Sequence, residues 1–349
     1  MDFGINFFPD VGPHEKSGQQ YFRESLNLVE RADTLGFSHV RIVEHYFLSY
    51  GGYSPNPIVF LAAAAQRSRT LKLITGAVLP VFNHPLKLAG ELAMLDCISN
   101  GRLEIGFARA FLPHEFAAFG VSLDESRERF EEGVAAVEAL LTQEVASYQG
   151  KFHSFRNITS LPRPVQKPRP QFWIAAFSTE ESFRKAGENG HWIMAIPLSG
   201  ASMAPLLASY REAWRGAGHP GAGRVMLAFH MYCASSDDEA ERIAEPLVNA
   251  YLRSMAEAAS DWGHLTSASY PNYSKLIAGL KESSYRTQVE QNAVLVGTPE
   301  TIARRLKAFN QAVGGFEVTS VQVNFHTMSE PDAERSMALF AERVMPLFR

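Results

Sequence analysis

Leu103-Glu-Ile-Gly-Phe-Ala-Arg109-Ala-Phe-Leu-Pro-His-Glu115-Phe116 is an apolar β-type run that breaks into a loop where an arginine appears, just after the turn Asn100-Gly101-Arg102. In a barrel of parallel strands the carboxyl ends open onto the active-site mouth, and Arg109 would stand there. A guanidinium is a planar, permanently charged fork suited to a phosphate. For one arginine alone, a surface residue closing a strand is the plainer reading. The pattern around it decides.

That pattern is strand, then helix, repeated. Phe3–Phe8 reads as a strand, followed by a helix with Phe22, Leu26, Val29 and Ala32 on one stripe and Gly36 as its stop. Val40–Val43 precedes a helix at Asn56–Gln66, Leu71–Leu79 one at Leu86–Ile98, and Leu103–Ala108 one from Leu123 to Leu141. The rhythm resumes with strands Phe172–Ala176, Trp192–Ile196 and Val225–Cys233, each followed by a helix: Glu180–Glu188, Met203–Trp214 and Asp237–Ala258. A helix at Pro299–Phe309, a strand at Val318–Asn324 and a helix at Pro331–Leu347 close the chain. The strands are near-continuous apolar runs, as expected when both faces are buried. Eight of them alternating with helices favour a closed (β/α)8 TIM barrel with insertions, one domain over residues 1–349, over an open doubly wound sheet, which the same periodicity would also suit.

Two stretches interrupt the repeat. Residues 143–170 hold Pro162, Pro164, Pro168 and Pro170 among basic and polar residues and read as a surface excursion. Residues 259–295 hold Trp262, Tyr270, Tyr273 and Tyr285 among serines, with a weak helical pattern only around Lys275–Lys281. A loop this long in a compact domain is usually functional or disordered, and the aromatics argue against disorder. Its low apolar periodicity predicts few core contacts.

Composition narrows the class. The 349 residues can bury a large core, 46% hydrophobic and 20% charged content is ordinary for a globular protein, and a net charge of −4 gives no electrostatic case for nucleic acid or an anionic membrane. Cys97 and Cys233 are too few for a disulfide framework and sit in apolar surroundings that predict buried, reduced thiols. The chain enters a strand-like run at once, without a signal-peptide pattern, and no apolar stretch approaches membrane-spanning length. The expectation is a soluble cytoplasmic protein.

Several residues carry chemistry if the barrel forms. Glu44-His45 ends the second strand, at the mouth by topology; His45 is either a hydrogen-bonded core histidine or a general acid/base. Gly76, after Thr75, either makes room in the core or marks close approach of a ligand. Pro85 after His84 starts a helix without needing any ligand. Ser178, Thr179 and Ser182 open the helix after the fifth strand, where free N–H groups and hydroxyls form an anion site. Ser178 with Glu181 also spells a plain capping box. Glu115, six residues beyond Arg109, is a surface carboxylate or a site residue. Gly216-Ala217-Gly218-His219-Pro220-Gly221 spells a dinucleotide fingerprint but follows a helix and precedes a strand, the wrong way round. The histidines lack metal-ligand spacing, so no metal site is expected.

Taken in order, Glu44-His45, Leu79-Pro80 with His84-Pro85, Ser99-Asn100-Gly101-Arg102 leading to Arg109, and Val296-Gly297-Thr298-Pro299-Glu300 resemble the bacterial luciferase-like flavin monooxygenase family. The similarity is greatest to the catalytic luciferase subunit type and spans nearly the whole chain. The resemblance implies a two-component monooxygenase. A separate flavin reductase supplies reduced FMN (FMNH2), which reacts with O2 and, through a flavin C4a-peroxide, oxidises an organic substrate; a homodimer is expected. It implies a catalytic role for His45 with Glu115 near the flavin ring, and a phosphate grip by Arg109, Ser178, Thr179 and Ser182. It also implies a non-proline cis peptide at Thr75-Gly76 beneath the ring, and a lid at 259–295. Two departures stand out: Tyr46 replaces a second histidine, and Ala108 replaces a reactive cysteine, which weighs against light emission. Phe8, Phe47 and Phe111 suggest a mainly apolar substrate. The rival readings are a deazaflavin-dependent oxidoreductase on the same barrel and a non-catalytic flavin-binding partner subunit; retention of both His45 and Arg109 argues against the latter.

Overall fold

Strand β1 (Asp2–Phe7) lies between β2 (His39–Ile42) and β8 (Val318–Gln322), and β3 (Lys72–Thr75), β4 (Leu103–Phe107), β5 (Gln171–Ala175), β6 (Trp192–Ala195) and β7 (Val225–Cys233) continue round in chain order, all parallel. Pairing of β7 with both β6 and β8 closes the ring, with Ile193 opposite Val225 and Met226 opposite Val318. This computed structural model describes residues 1–271 and 273–349. The eight expected strands are therefore those of a closed (β/α)8 barrel. Closure follows from burial on both faces: every residue of β2 and β8 is buried, so neither strand could serve as an open edge. Among the described residues no helix is long and apolar enough to cross a membrane.

The ends of elements differ from the periodic reading where backbone chemistry intervenes. β3 stops at Thr75, not Leu79, because the chain turns inward at Gly76 and only Val78 bridges on to Phe107. A helix at Pro113–Phe119, with proline at its start and Gly120 in the left-handed region at its stop (φ 66°), occupies what reads as loop after β4. Residues 143–170 include a two-stranded antiparallel hairpin, Ala146–Gln149 with Ser154–Ile158, whose mostly exposed side chains carry no apolar signal. A three-residue strand, Leu295–Gly297, adds to β7 and is too short for periodicity to register. Cys233 is buried, with its thiol pushed up to about 12 by desolvation, whereas Cys97 is exposed on its helix. Among its apolar neighbours in sequence Ala93 and Leu95 are buried, but Met94 and Ile98 are exposed as Cys97 is.

The expectation of few core contacts for residues 259–295 is overturned. Trp262, Tyr270, Tyr273 and Tyr285 are all buried, and the first three form a cluster with ring centroids 4.9–5.2 Å apart. The Trp262 indole donates to the Phe111 carbonyl (2.8 Å) and the Tyr270 hydroxyl to the Ala110 carbonyl (2.8 Å). The segment is thus tied to the loop after β4. Aromatics in loops and short helices pack without a 3.6-residue period, so periodicity underestimates their burial. Asn272, within this stretch, lies outside the described residues.

Candidate active site

The carboxyl ends of the strands surround a cavity of about 250 Å³, lined by residues from every strand of the barrel or the loop after it. Three of its walls differ in chemistry.

The first wall comes from the end of β2. Glu44 is buried and accepts hydrogen bonds from the Leu79 amide (3.0 Å), the Asn83 side-chain amide (2.9 Å) and the Tyr46 hydroxyl. Burial nevertheless dominates and pushes its carboxyl up to about 7. Beside it, His45 Nδ1 lies 3.0 Å from Glu115 Oε1, and the same oxygen accepts the Tyr46 amide at 2.9 Å. Glu115 is fully buried behind the histidine on the helix Pro113–Phe119, so the surface-carboxylate reading fails. A carboxylate on Nδ1 makes that nitrogen the donor and leaves Nε2 as the free position of the ring. Nε2 has no hydrogen-bond partner among the described residues, and His45 lines the cavity. Phe8, Tyr50 and Phe111 hold the ring with centroids 5.5, 5.5 and 6.1 Å away. Gly51 (φ 82°) is obligatory here, since a Cβ would come 2.6 Å from that of His45.

The second wall lies between β4 and β5. Arg109, Thr179 and Ser182 all line the cavity, on the loop after β4 and at the start of the helix Glu180–Glu188. Thr179 is the N-cap but makes no capping hydrogen bond, and the expected Ser178–Glu181 capping box does not form. The hydroxyls and the first amides of this helix are therefore available to a ligand. Ser178 is half-buried and is not among the cavity-lining side chains. Arg109 Nη1 donates to the Ser269 carbonyl (2.7 Å), and its guanidinium lies 4.0 Å from the Tyr270 ring centroid. The 259–295 segment thus holds the arginine at the mouth.

The third wall is the floor, and the sequence reading missed it. Asn6, Arg41, His230 and Gln322 reach the cavity from β1, β2, β7 and β8. Burial drives His230 down to about 3, so it is neutral, and its Nε2 has no partner among the described residues. A charged or polar residue in the middle of a strand buried on both faces is the signal that could have found this set.

The remaining expectations divide. Gly76 lines the cavity, where a Cβ would meet the Arg41 side chain at 2.1 Å. The cis peptide is Gly76–Ala77, one bond later than expected. Thr75 does not line the cavity; its hydroxyl is spent on Gly106, donating to the carbonyl (2.9 Å) and accepting from the amide (2.8 Å). His84 caps its helix by accepting from the Leu86 amide, which is the plain reading. Phe8 and Phe111 line the cavity, but Phe47 is 63% exposed and does not.

Comparison with known proteins agrees with this architecture. The chain superposes on the crystal structure of the monooxygenase RslO1 from Streptomyces bottropensis over the full length of both, with TM-score 0.90 and 43% identity. It is 27% identical to the oxygenase component of the flavin-dependent trigonelline monooxygenase of Acinetobacter baylyi, across 100% of this chain and 96% of that one. The oxygenating constituent of a type II Baeyer-Villiger enzyme, 3,6-diketocamphane monooxygenase from Pseudomonas putida in complex with FMN, shares the fold at TM-score 0.82 and 22% identity, over 99% and 98% of the two chains. Residues 1–315 match the family model of the luciferase-like monooxygenases, and the chain is an enzyme belonging to that family.

Proposed function

We propose that this enzyme is the oxygenase of a two-component system, taking reduced FMN from a separate reductase and using O2 to oxidise a mainly apolar organic substrate. One observation carries the reading: a cationic, hydroxyl-bearing wall and a carboxylate-oriented histidine open into the same apolar chamber. The residues fit a mononucleotide. Arg109, Thr179 and Ser182 would hold the phosphate, with Ser178 contributing the backbone that leads into the helix. Small side chains at Ala77, Ala108, Ala175 and Ala195 leave room for a flat ring beside Gly76, with Thr75 supporting that wall from behind. The naming of a relative as an oxygenase component, and of another as an FMN complex, supports the same reading.

Bound reduced FMN supplies the electrons for oxygen activation. The chain's own residues do the rest. His45 accepts or returns a proton at Nε2, and Glu115 acts as a positioning residue that fixes the tautomer. Tyr251, Leu252 and Met255 with Phe8 and Phe111 supply apolar surface for the substrate. Trp262 and Tyr270, bonded to the loop after β4, and Tyr273, which lines the cavity, limit access of water from that side. Incubation with FMN, a flavin reductase, NADH, ¹⁸O2 and a substrate panel tests the function: one ¹⁸O atom enters the product. No ¹⁸O in the product with FMN, together with product formed anaerobically when a reduced deazaflavin cofactor is supplied in its place, would overturn it in favour of hydride transfer.

A further inference from the structure

The floor of the cavity holds a cation with no counter-ion among the described residues. Arg41 is 6% exposed, yet it takes part in no salt bridge among the described residues. Its Nε donates to Asn6 Oδ1 (3.0 Å) and its Nη1 points at the Met194 sulfur (3.4 Å). Nη2 has no partner among the described residues, while the side chain lines the cavity. Burial lowers its pKa only to about 10, so it remains a cation at neutral pH. A buried guanidinium held by one amide and a thioether is costly unless something else pairs with it. Gly76 is kept free of a side chain where the arginine crosses it, and His230 brings a further unpartnered nitrogen to the same floor.

The cavity therefore has two cationic ends. Arg109 stands between β4 and β5 at the mouth, and Arg41 stands on the floor with Asn6, His230 and Gln322, on the arc from β7 round to β2. A mononucleotide brings one phosphate, and the mouth takes it. We infer that Arg41 receives an ionised oxygen of the second ligand: the substrate is an apolar molecule carrying a carboxylate, phenolate or enolate that pairs with Arg41 at the cavity floor. This rests on the reading of the chamber as a substrate pocket, but its test needs neither flavin nor turnover.

The probes are 2-naphthoate and 2-naphthalenemethanol, alike in shape and different in charge, titrated calorimetrically into the flavin-free protein. One charge-assisted pair should make the acid bind about ten- to a hundredfold tighter than the alcohol. Arg41→Met should abolish that preference while leaving affinity for the alcohol unchanged, which also reports an intact cavity. Arg41→Lys should keep the preference, and so should Arg109→Ala. No preference in the wild type, or preference surviving Arg41→Met, overturns the proposal. Loss of preference in Arg109→Ala overturns it too, by placing the anion at the mouth. The titration is repeated on protein preloaded with FMN, whose binding is followed separately. If bound FMN removes the preference, Arg41 serves the flavin ring and the inference fails. Failure to bind FMN would sink the functional reading alone and leave the naphthoate result standing.

Discussion

Glu44 offers the sharpest quantitative test of the site's electrostatics. Its carboxyl is moved from an ordinary 4.5 to about 7, chiefly by burial and against the pull of three hydrogen-bond donors. The folded state therefore holds a proton that the unfolded chain releases near pH 4.5. Stability from this group is fully present below pH 4.5 and is lost as pH rises through about 7. The move from 4.5 to about 7, at roughly 1.4 kcal/mol for each tenfold change in proton affinity, amounts to about 3–4 kcal/mol. For 349 residues an unfolding entropy of about 2.1 cal/mol/K per residue converts this to a melting shift of about 4–5 °C. Glu44→Gln removes the titration; any cost of turning an amide NH2 toward the Leu79 N–H is the same at every pH. Thermal unfolding of wild type and variant from pH 4 to pH 9 isolates the group, because His39 and His230, both pushed down to about 3 by burial, titrate alike in the two proteins. The wild type should lose about 3–4 kcal/mol relative to the variant across that range. Parallel pH profiles would show Glu44 ionising like an exposed carboxylate and would refute the assignment.

Arg109→Ala should weaken FMN binding about ten- to a hundredfold, the worth of a charge-assisted contact, and riboflavin binding far less; equal loss for both ligands would remove the phosphate from Arg109. His45→Ala should still bind flavin while product formation falls by about 10²–10⁴ and hydrogen peroxide rises in its place; Tyr46→Phe run alongside reports any share taken by the neighbouring phenol, and full product yield in His45→Ala would make His45 a packing residue. Glu115→Gln should lower product yield and displace its pH profile, because the histidine tautomer is no longer held; an unmoved profile would confine Glu115 to packing. Tyr270→Ala, at a ring 2% exposed and packed on Trp262 and Arg109, should cost about 3–5 kcal/mol in urea unfolding. An unchanged midpoint would restore the view of 259–295 as a detachable lid.

The alternation of apolar strands with amphipathic helices determined a parallel sheet buried on both faces, and the count of eight favoured a closed barrel over an open doubly wound sheet. Closure itself is a long-range pairing, of β7 with both β6 and β8, that no local pattern carries. Topology alone then put Glu44, His45 and Arg109 at the mouth, because each follows a strand directly. Other features were settled only by contacts distant in sequence. Glu115 is 70 residues from His45, and no local pattern distinguishes a buried carboxylate from an exposed one on so short a helix. The aromatics of 259–295 have no period, and their burial became visible only when Tyr270 was found bonded to Ala110, 160 residues away. Arg41 and His230 sit within apolar strands, and which way a strand residue points, into the barrel or out to the helices, is set by closure. Arg41 is a cation with no ion-pair partner among the described residues because eight strands close around it, and that enclosure exists only in the folded barrel.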